Sequence, residues 1–471
     1  MEDSMSTIIL GVRLNSLRFG NTFFILMYMP LAKKLCKKFL LCLYINLLFM
    51  YNSCMNEIIT LPNGVRLAYQ NIPFFHSVSL GVFVKIGSRN ELDSDNGIAH
   101  FTEHVMFKGT KTRTAFDLVK EMDSLGANMN AFTSKELTCY YFQCIDDTVE
   151  DCSEILSDIL MNSVFPAEEV EKERGVVLEE IDMVYDIPDD LSQELCSSAF
   201  WGGHPLGKNI LGTRENVERF TRDDVLSFVS SHYVADNVVV SVCGNISREK
   251  AIDVVLKYFS FPRRPVAKRS FALPEKLGGR VEACYKDIEQ ANLTIAFPSL
   301  AFDDSRLIGL SVLACALGGG MSSILFQEVR EKLGLVYSVF NYLSTYEDTG
   351  AQCIYLGTNP KNLKKAVGAV KRCVAEFCQS GMDEESFHRA KQQVKGSLSL
   401  GAESSLSLMR TIGKYALFLN KPFDVDERLA QLVRLDLKEV NAMIPQLFDT
   451  KEIGVGYVGK QTDFDLTEIY K

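Results

Sequence analysis

Two histidines four residues apart, His100 and His104, stand in the segment GIAHFTEHVMFKGT with Glu103 directly before the second. Ile98, Phe101, Val105 and Met106 give the segment helical apolar spacing. On a helix, positions i and i+4 share a face, so both imidazoles are able to reach one ion while Glu103 projects beside them. A catalytic zinc takes three protein ligands and keeps one position open, where water is acidified and a neighbouring carboxylate takes its proton. The pattern His-x-x-Glu-His therefore predicts metal-assisted hydrolysis, with Glu103 as general base. The chain has only 6 histidines, so the spacing is not the by-product of a histidine-rich composition. The competing reading is a helix that carries two hydrogen-bonded polar histidines and no ion.

At 471 residues the chain is long enough for two or more domains, each with its own core. Hydrophobic content of 47% with 23% charged residues reads as globular rather than disordered or fibrous. A net charge of −10 excludes nucleic acid as the main partner, because phosphate binding needs a basic face. The 13 cysteines are scattered singly and form no C-x-x-C pair, which removes thiolate zinc ribbons and thioredoxin-like motifs. An odd cysteine count in a chain of this size points to a reducing compartment, and the cytoplasm is the expected location.

Residues 1–54 differ from the rest. Two apolar runs, 22–31 and 39–51, flank Lys33, Lys34, Lys37 and Lys38. The second run is shorter than the roughly 20 residues of a spanning helix but matches the core of a signal peptide. Either translation begins at Met55, where the globular pattern starts, or the chain is exported or membrane-anchored through residues 33–54. Membrane association rests on this extension alone.

The remainder reads as two echoing halves. Residues 220–244 and 435–459 each give a capped helix, with Thr221 and Asp436 as N-caps, followed by an alternating strand that ends in glycine. Earlier elements repeat at about the same offset. Strand 77–86 answers 291–297, the helix after Asp95 answers 305–317, and the alternating stretch 128–144 answers 336–356. The expected organisation is an N-terminal extension (1–54), a zinc-binding domain (55–260), a linker (261–279) with Pro262, Pro265 and Pro274, and a homologous domain (280–471). Hairpin connections, such as the opening turn at Asn63-Gly64, favour α+β domains, each a mainly antiparallel sheet with helices packed on one face. At the repeat offset, His100, Glu103 and His104 fall on Cys315, Gly318 and Gly319, so the second half cannot hold zinc in the same way.

HFTEHVMFKGT resembles the inverted zinc motif of the pitrilysin and mitochondrial-processing-peptidase family, the inverzincins. The resemblance runs over nearly the whole chain from Met55. It implies a third ligand some 75 residues beyond the motif, which selects Glu180, with Glu179 as the competing carboxylate. A second family glutamate, near the metal water and seven residues before that ligand, corresponds to Glu173, whose alternative reading is a solvated helix charge. Segment 126–144 resembles the edge strand on which an extended peptide lies by strand addition. Asn130 and Ala131 match its backbone-binding pair; an inner strand is the alternative. In segment 317–339, Arg330 and Tyr337 match the family's arginine and tyrosine that contact substrate or the oxyanion from across the chamber.

The resemblance further implies a zinc endopeptidase with one zinc per chain, cleaving unfolded peptides or presequence-like segments. Two such α+β domains form half of a clamshell. A complete chamber then needs two chains, either a homodimer or a heterodimer with a related, degenerate subunit. Arg330 and Tyr337 would serve the same chain's zinc or the partner's. A non-catalytic or peptide-holding subunit is the rival reading.

Overall fold

The computed structural model describes residues 56–266, 271–275, 277–448 and 450–469. The extension 1–54, with its apolar runs, lies outside the described residues. In the first half the order is β1 (Glu57–Thr60), β2 (Arg66–Asn71), β3 (Ser77–Val84), α1 (Ile98–Met106), α2 (Ala115–Ser124), β4 (Asn128–Thr133) and β5 (Thr138–Ile145). There follow α3 (Val149–Asn162), α4 (Ala167–Asp186), α5 (Pro188–Trp201), α6 (Arg214–Arg219), α7 (Arg222–His232), β6 (Val238–Gly244) and α8 (Arg248–Tyr258). The second half runs β7 (Arg280–Tyr285), β8 (Ala291–Ser299), α9 (Leu307–Gly318), β9 (Val336–Thr345), β10 (Gly350–Thr358) and α10 (Leu363–Ser380). It ends with α11 (Glu384–Gly401), α12 (Ser405–Leu419), α13 (Val425–Arg434), α14 (Leu437–Leu447) and β11 (Gly454–Gly459).

Local chemistry accounts for many of these boundaries. Gly64, at φ +89°, takes the left-handed position of the β1–β2 turn, which Asn63 completes by accepting from the Val65 amide. Thr221 and Asp224 form a reciprocal cap at the start of α7, and Asp436 accepts from the Lys438 amide at α14.

Apart from the additional edge strand β1 in the first, the two sheets share one topology. The first is ordered β1-β2-β6-β3-β5-β4 and the second β7-β11-β8-β10-β9. In each, one parallel pair (β2 with β6, β7 with β11) adjoins a run of antiparallel strands. Each sheet ends on a hairpin strand, β4 in one and β9 in the other, which leaves that strand's outer edge unpaired within its sheet.

Each half carries its own helices on one face of its sheet: Val105, Leu156 and Val225 pack there against Val82 and Val240 in the first. The opposite face takes a helix from the other half. Met409 and Ile412 of α12 pack on Phe83 and Cys139, and Ser241 donates to the Met409 carbonyl at 2.7 Å. Reciprocally, Cys196 and Phe200 of α5 pack on Ala296, Ala351 and Cys353 of the second sheet. The approach of α5 is so close that a β-carbon on Gly456 would stand 2.1 Å from the Ser192 carbonyl oxygen, which is why a side chain is excluded there. The exchange explains why β6, VVVSVCG, is buried at every position instead of alternating. An ion pair joins the halves as well: Arg89, held within its own half by Glu136 at 2.5 Å, reaches Asp348 of the second half at 2.7 Å. No helix among the described residues is long and apolar enough to cross a membrane.

Candidate metal centre

Helix α1 presents His100, Glu103 and His104, and the twenty-residue α4 runs across it carrying Glu173 and Glu180. Those two glutamates lie two turns apart and so share a face. Glu180 Oε2 stands 3.6 Å from His100 Nε2 and 3.4 Å from His104 Nε2. One ligand atom from each of the three residues lies within 4.8 Å of the others, the only such cluster among the described residues. Glu179, the competing carboxylate, is exposed.

The donor set fits a zinc ion. Ligands about 2.0–2.1 Å from a tetrahedral centre are themselves about 3.3 Å apart, close to the separations found. Glu180 Oε2 is buried yet has no hydrogen-bond partner, the condition of a carboxylate oxygen aimed at a cation. Glu173 supports this arrangement from behind, with Oε2 3.3 Å from His104 Nδ1 and Oε1 paired with Lys108 Nζ at 2.7 Å. Such an acid fixes the ring orientation and directs Nε2 toward the cluster.

Electrostatics divides the two imidazoles. Burial, helped by the neighbouring His104, pushes His100 down to about 4. His104 is raised to about 9, because its contacts with Glu173 and Glu180 outweigh the effect of burial. Burial also lifts the Glu103 carboxyl above the ordinary carboxylate range, against the opposing hydrogen bond from Thr133.

Three positioning groups escaped the sequence reading. Thr133, the last residue of β4, donates its hydroxyl hydrogen to Glu103 Oε2. Glu91, 1% exposed, accepts from the Gly97 amide at 2.7 Å, the Ala99 amide at 2.8 Å and Asn96 Nδ2 at 3.0 Å. It thereby caps the helix that carries the histidines, although burial pushes its pKa up to about 7. Beside it, Gly97 adopts φ +100°, and a β-carbon there would stand 2.6 Å from the Leu211 carbonyl. Lys108, the partner of Glu173, is the third. Thr133 stands inside the segment already singled out, but only the folded sheet reveals what its hydroxyl meets.

Thr133 gives a direct prediction. Thr133→Val keeps the side-chain shape and removes the hydrogen bond to Glu103. If Glu103 is the base, steady-state kinetics should show kcat lowered by about 10-fold with zinc content unchanged. An unchanged kcat would remove Thr133 from the positioning of Glu103.

His100, Glu103, Thr133, Glu180, Asp190 and Glu194 share one open cleft, which Ala131 also lines. Asn130 is exposed on β4 and accepts from the Ala131 amide at 2.7 Å through its own side chain. Strand β4 is the terminal strand of its sheet. Arg330 and Tyr337 are elsewhere. Arg330 is exposed on a π-helical segment (Phe326–Lys332), its guanidinium 4.6 Å from the Phe326 ring centre. Tyr337 is 60% exposed on β9, and neither residue lines the cleft. His204 is buried, with Nδ1 accepting from the Leu206 amide at 3.2 Å, a structural role.

Residues 66–214 match the family described as insulinase (peptidase family M16), and residues 219–394 match the peptidase M16 inactive domain. The chain is 40% identical over 393 residues to "uncharacterized zinc protease YmxG" of Bacillus subtilis, covering 83% of this chain and 95% of that protein. It is 36% identical over 391 residues to "uncharacterized zinc protease SCO5738" of Streptomyces coelicolor, covering 82% and 85% of the two chains. Among solved structures, a peptidase M16 inactive domain from Pseudomonas fluorescens superposes with a TM-score of 0.81 at 18% identity, covering 87% of this chain and 99% of the other. A protease from Helicobacter pylori gives a TM-score of 0.81 at 22% identity, covering 86% and 99%. The two family matches over successive halves and the extended identity to zinc proteases agree with the duplicated fold, of which only the first half carries the His-x-x-Glu-His pair: this chain belongs to peptidase family M16.

Proposed function

We propose that this protein is a zinc-dependent endopeptidase that cleaves extended peptides laid along β4, with one zinc per chain. The observation that carries the reading is the convergence of His100, His104 and Glu180, from two separate helices, beside Glu103 in a cleft bounded by a free strand edge. His100, His104 and Glu180 would hold the ion, which supplies Lewis acidity toward the scissile carbonyl. Glu103 takes the proton of the attacking water and passes it to the departing amine. Thr133 fixes the direction in which Glu103 faces. The backbone of β4 around Asn130 and Ala131 pairs with the substrate backbone by strand addition, which holds the scissile bond against the cleft.

Asp190 and Glu194 stand in the same cleft, and burial together with Asp189 raises the Asp190 carboxyl. Carboxylates in that position favour a basic substrate side chain close to the cut. A second chain would close the chamber, as homodimer or heterodimer. Arg330 and Tyr337, exposed and outside their own chain's cleft, would then serve the partner's.

Incubation of the zinc-loaded protein with a peptide library, read by mass spectrometry, tests the reading. Internal cuts enriched near Lys or Arg are expected, and Asp190→Asn with Glu194→Gln should reduce that enrichment about tenfold. Intact peptides with the zinc-loaded chain would contradict the endopeptidase reading. Cuts without any basic preference would contradict only the role of Asp190 and Glu194.

A further inference from the structure

The two faces of β4 differ. Met129 and Ala131 pack toward the core that holds α1, and Thr133 reaches Glu103 on that same side. Phe132 packs instead with the α12 cluster, together with Tyr141. Asn130 is the direct cross-strand neighbour of Tyr141, so it lies on this second face too. A substrate strand added beside β4 therefore presents alternate side chains to two separate surfaces. One surface is the metal cleft, and the other is built with a helix exchanged from the second half.

On that second surface stands Arg410 of α12. Its guanidinium carbon is 4.6 Å from the Tyr141 ring centre and 5.4 Å from that of Phe132, and Nη2 donates to the Tyr141 hydroxyl at 2.5 Å. Arg410 is exposed, and among the described residues no carboxylate forms an ion pair with it. An arginine offers five N–H donors in a rigid fork, and Tyr141 is its one hydrogen-bond partner among the described residues. Two aromatic contacts and one hydrogen bond hold the plane in place, so little side-chain freedom is lost when a ligand arrives. The fork is preorganised, and a bidentate carboxylate is the group it matches.

We propose that Arg410 is a specificity-determining residue: a carboxylate subsite through which the second half reads acidic substrate side chains on the face of β4 opposite the metal cleft. The proposal rests on the reading of β4 as the strand that receives substrate. It deepens that reading by assigning a selectivity to a residue outside the cleft. Basic side chains are drawn to the Asp190 side, and acidic ones of the opposite parity to Arg410.

The test uses acetylated, amidated peptides, so that no terminal carboxylate competes, with Asp, Asn or Lys walked through successive positions around one cut site. The readout is the ratio of kcat/KM values within each enzyme, which does not depend on the absolute activity of a variant. The native enzyme should prefer Asp over Asn by about 5- to 20-fold at one or two positions of the same parity. Arg410→Ala should bring that ratio to about one, and Arg410→Glu should turn the preference toward Lys at the same positions. A purely structural Arg410 would alter all peptides alike. An Asp-to-Asn ratio that is flat in the native enzyme, or identical in all three proteins, overturns the subsite. Failure of the native enzyme to cut any peptide, the Asn series included, overturns the endopeptidase reading itself and the subsite with it.

Discussion

Glu103→Gln should leave zinc bound and lower kcat for a quenched peptide by about 10²- to 10⁴-fold, the range expected when a positioned general base is removed. The substitution preserves size and retains an acceptor for the Thr133 hydroxyl, so the local fold should persist. What disappears is the ability to take a proton from water. Glu103 is suited to that task because it lies in the cleft beside His104, is held by Thr133, and is not one of the three clustered ligand groups. KM should change little, since β4 and the cleft walls keep their shape. Metal analysis alongside peptide kinetics checks both parts. Equal cleavage by native enzyme and variant would remove Glu103 from the mechanism, whatever the state of the metal.

Glu180→Ala should act by a different route, abolishing zinc retention and hydrolysis together. Its carboxylate approaches both imidazoles at 3.4–3.6 Å without any hydrogen bond to its Oε2. Removing it leaves two ligands, too few for a tightly held catalytic zinc. Glu179→Ala is the matched control, because its exposed side chain should affect neither quantity. Glu173→Gln should fall between them. That change weakens the acceptor at His104 Nδ1 and the pair with Lys108, and zinc affinity should drop by about 10- to 100-fold. Equilibrium dialysis against buffered zinc orders the three variants. Zinc retained by Glu180→Ala as by the native chain would refute the assignment of that ligand.

Much of the site was legible because its parts are local or evenly spaced. The imidazoles are one helical turn apart, so a periodicity argument places them on one face, and the structure finds their rings 4.6 Å apart. Glu173 and Glu180 were singled out through the family resemblance rather than by periodicity; the structure places them two turns apart on one long helix, with Glu180 in the cluster and Glu179 exposed. The duplication was readable because capped helices and alternating strands recur in order. The helices α5 and α12 were not readable in this way. Their apolar residues fit any buried helix, and nothing local tells Met409 that its neighbour is Phe83 of the other half. Glu91 and Thr133 were missed for a related reason: a carboxylate before a helix and a hydroxyl at a strand end have ordinary solvent-facing roles, and only the fold turns them inward. Arg330 and Tyr337 were drawn from resemblance, and neither lines the cleft of its own chain, a placement that no spacing in the sequence could show.

Crystals of zinc-loaded protein, measured on both sides of the zinc absorption edge, test the central claim most directly. One anomalous peak per chain is expected, within about 2.0–2.2 Å of His100, His104 and Glu180 and with one position open toward Glu103. A peak elsewhere, or none at these three residues under saturating zinc, would contradict the account.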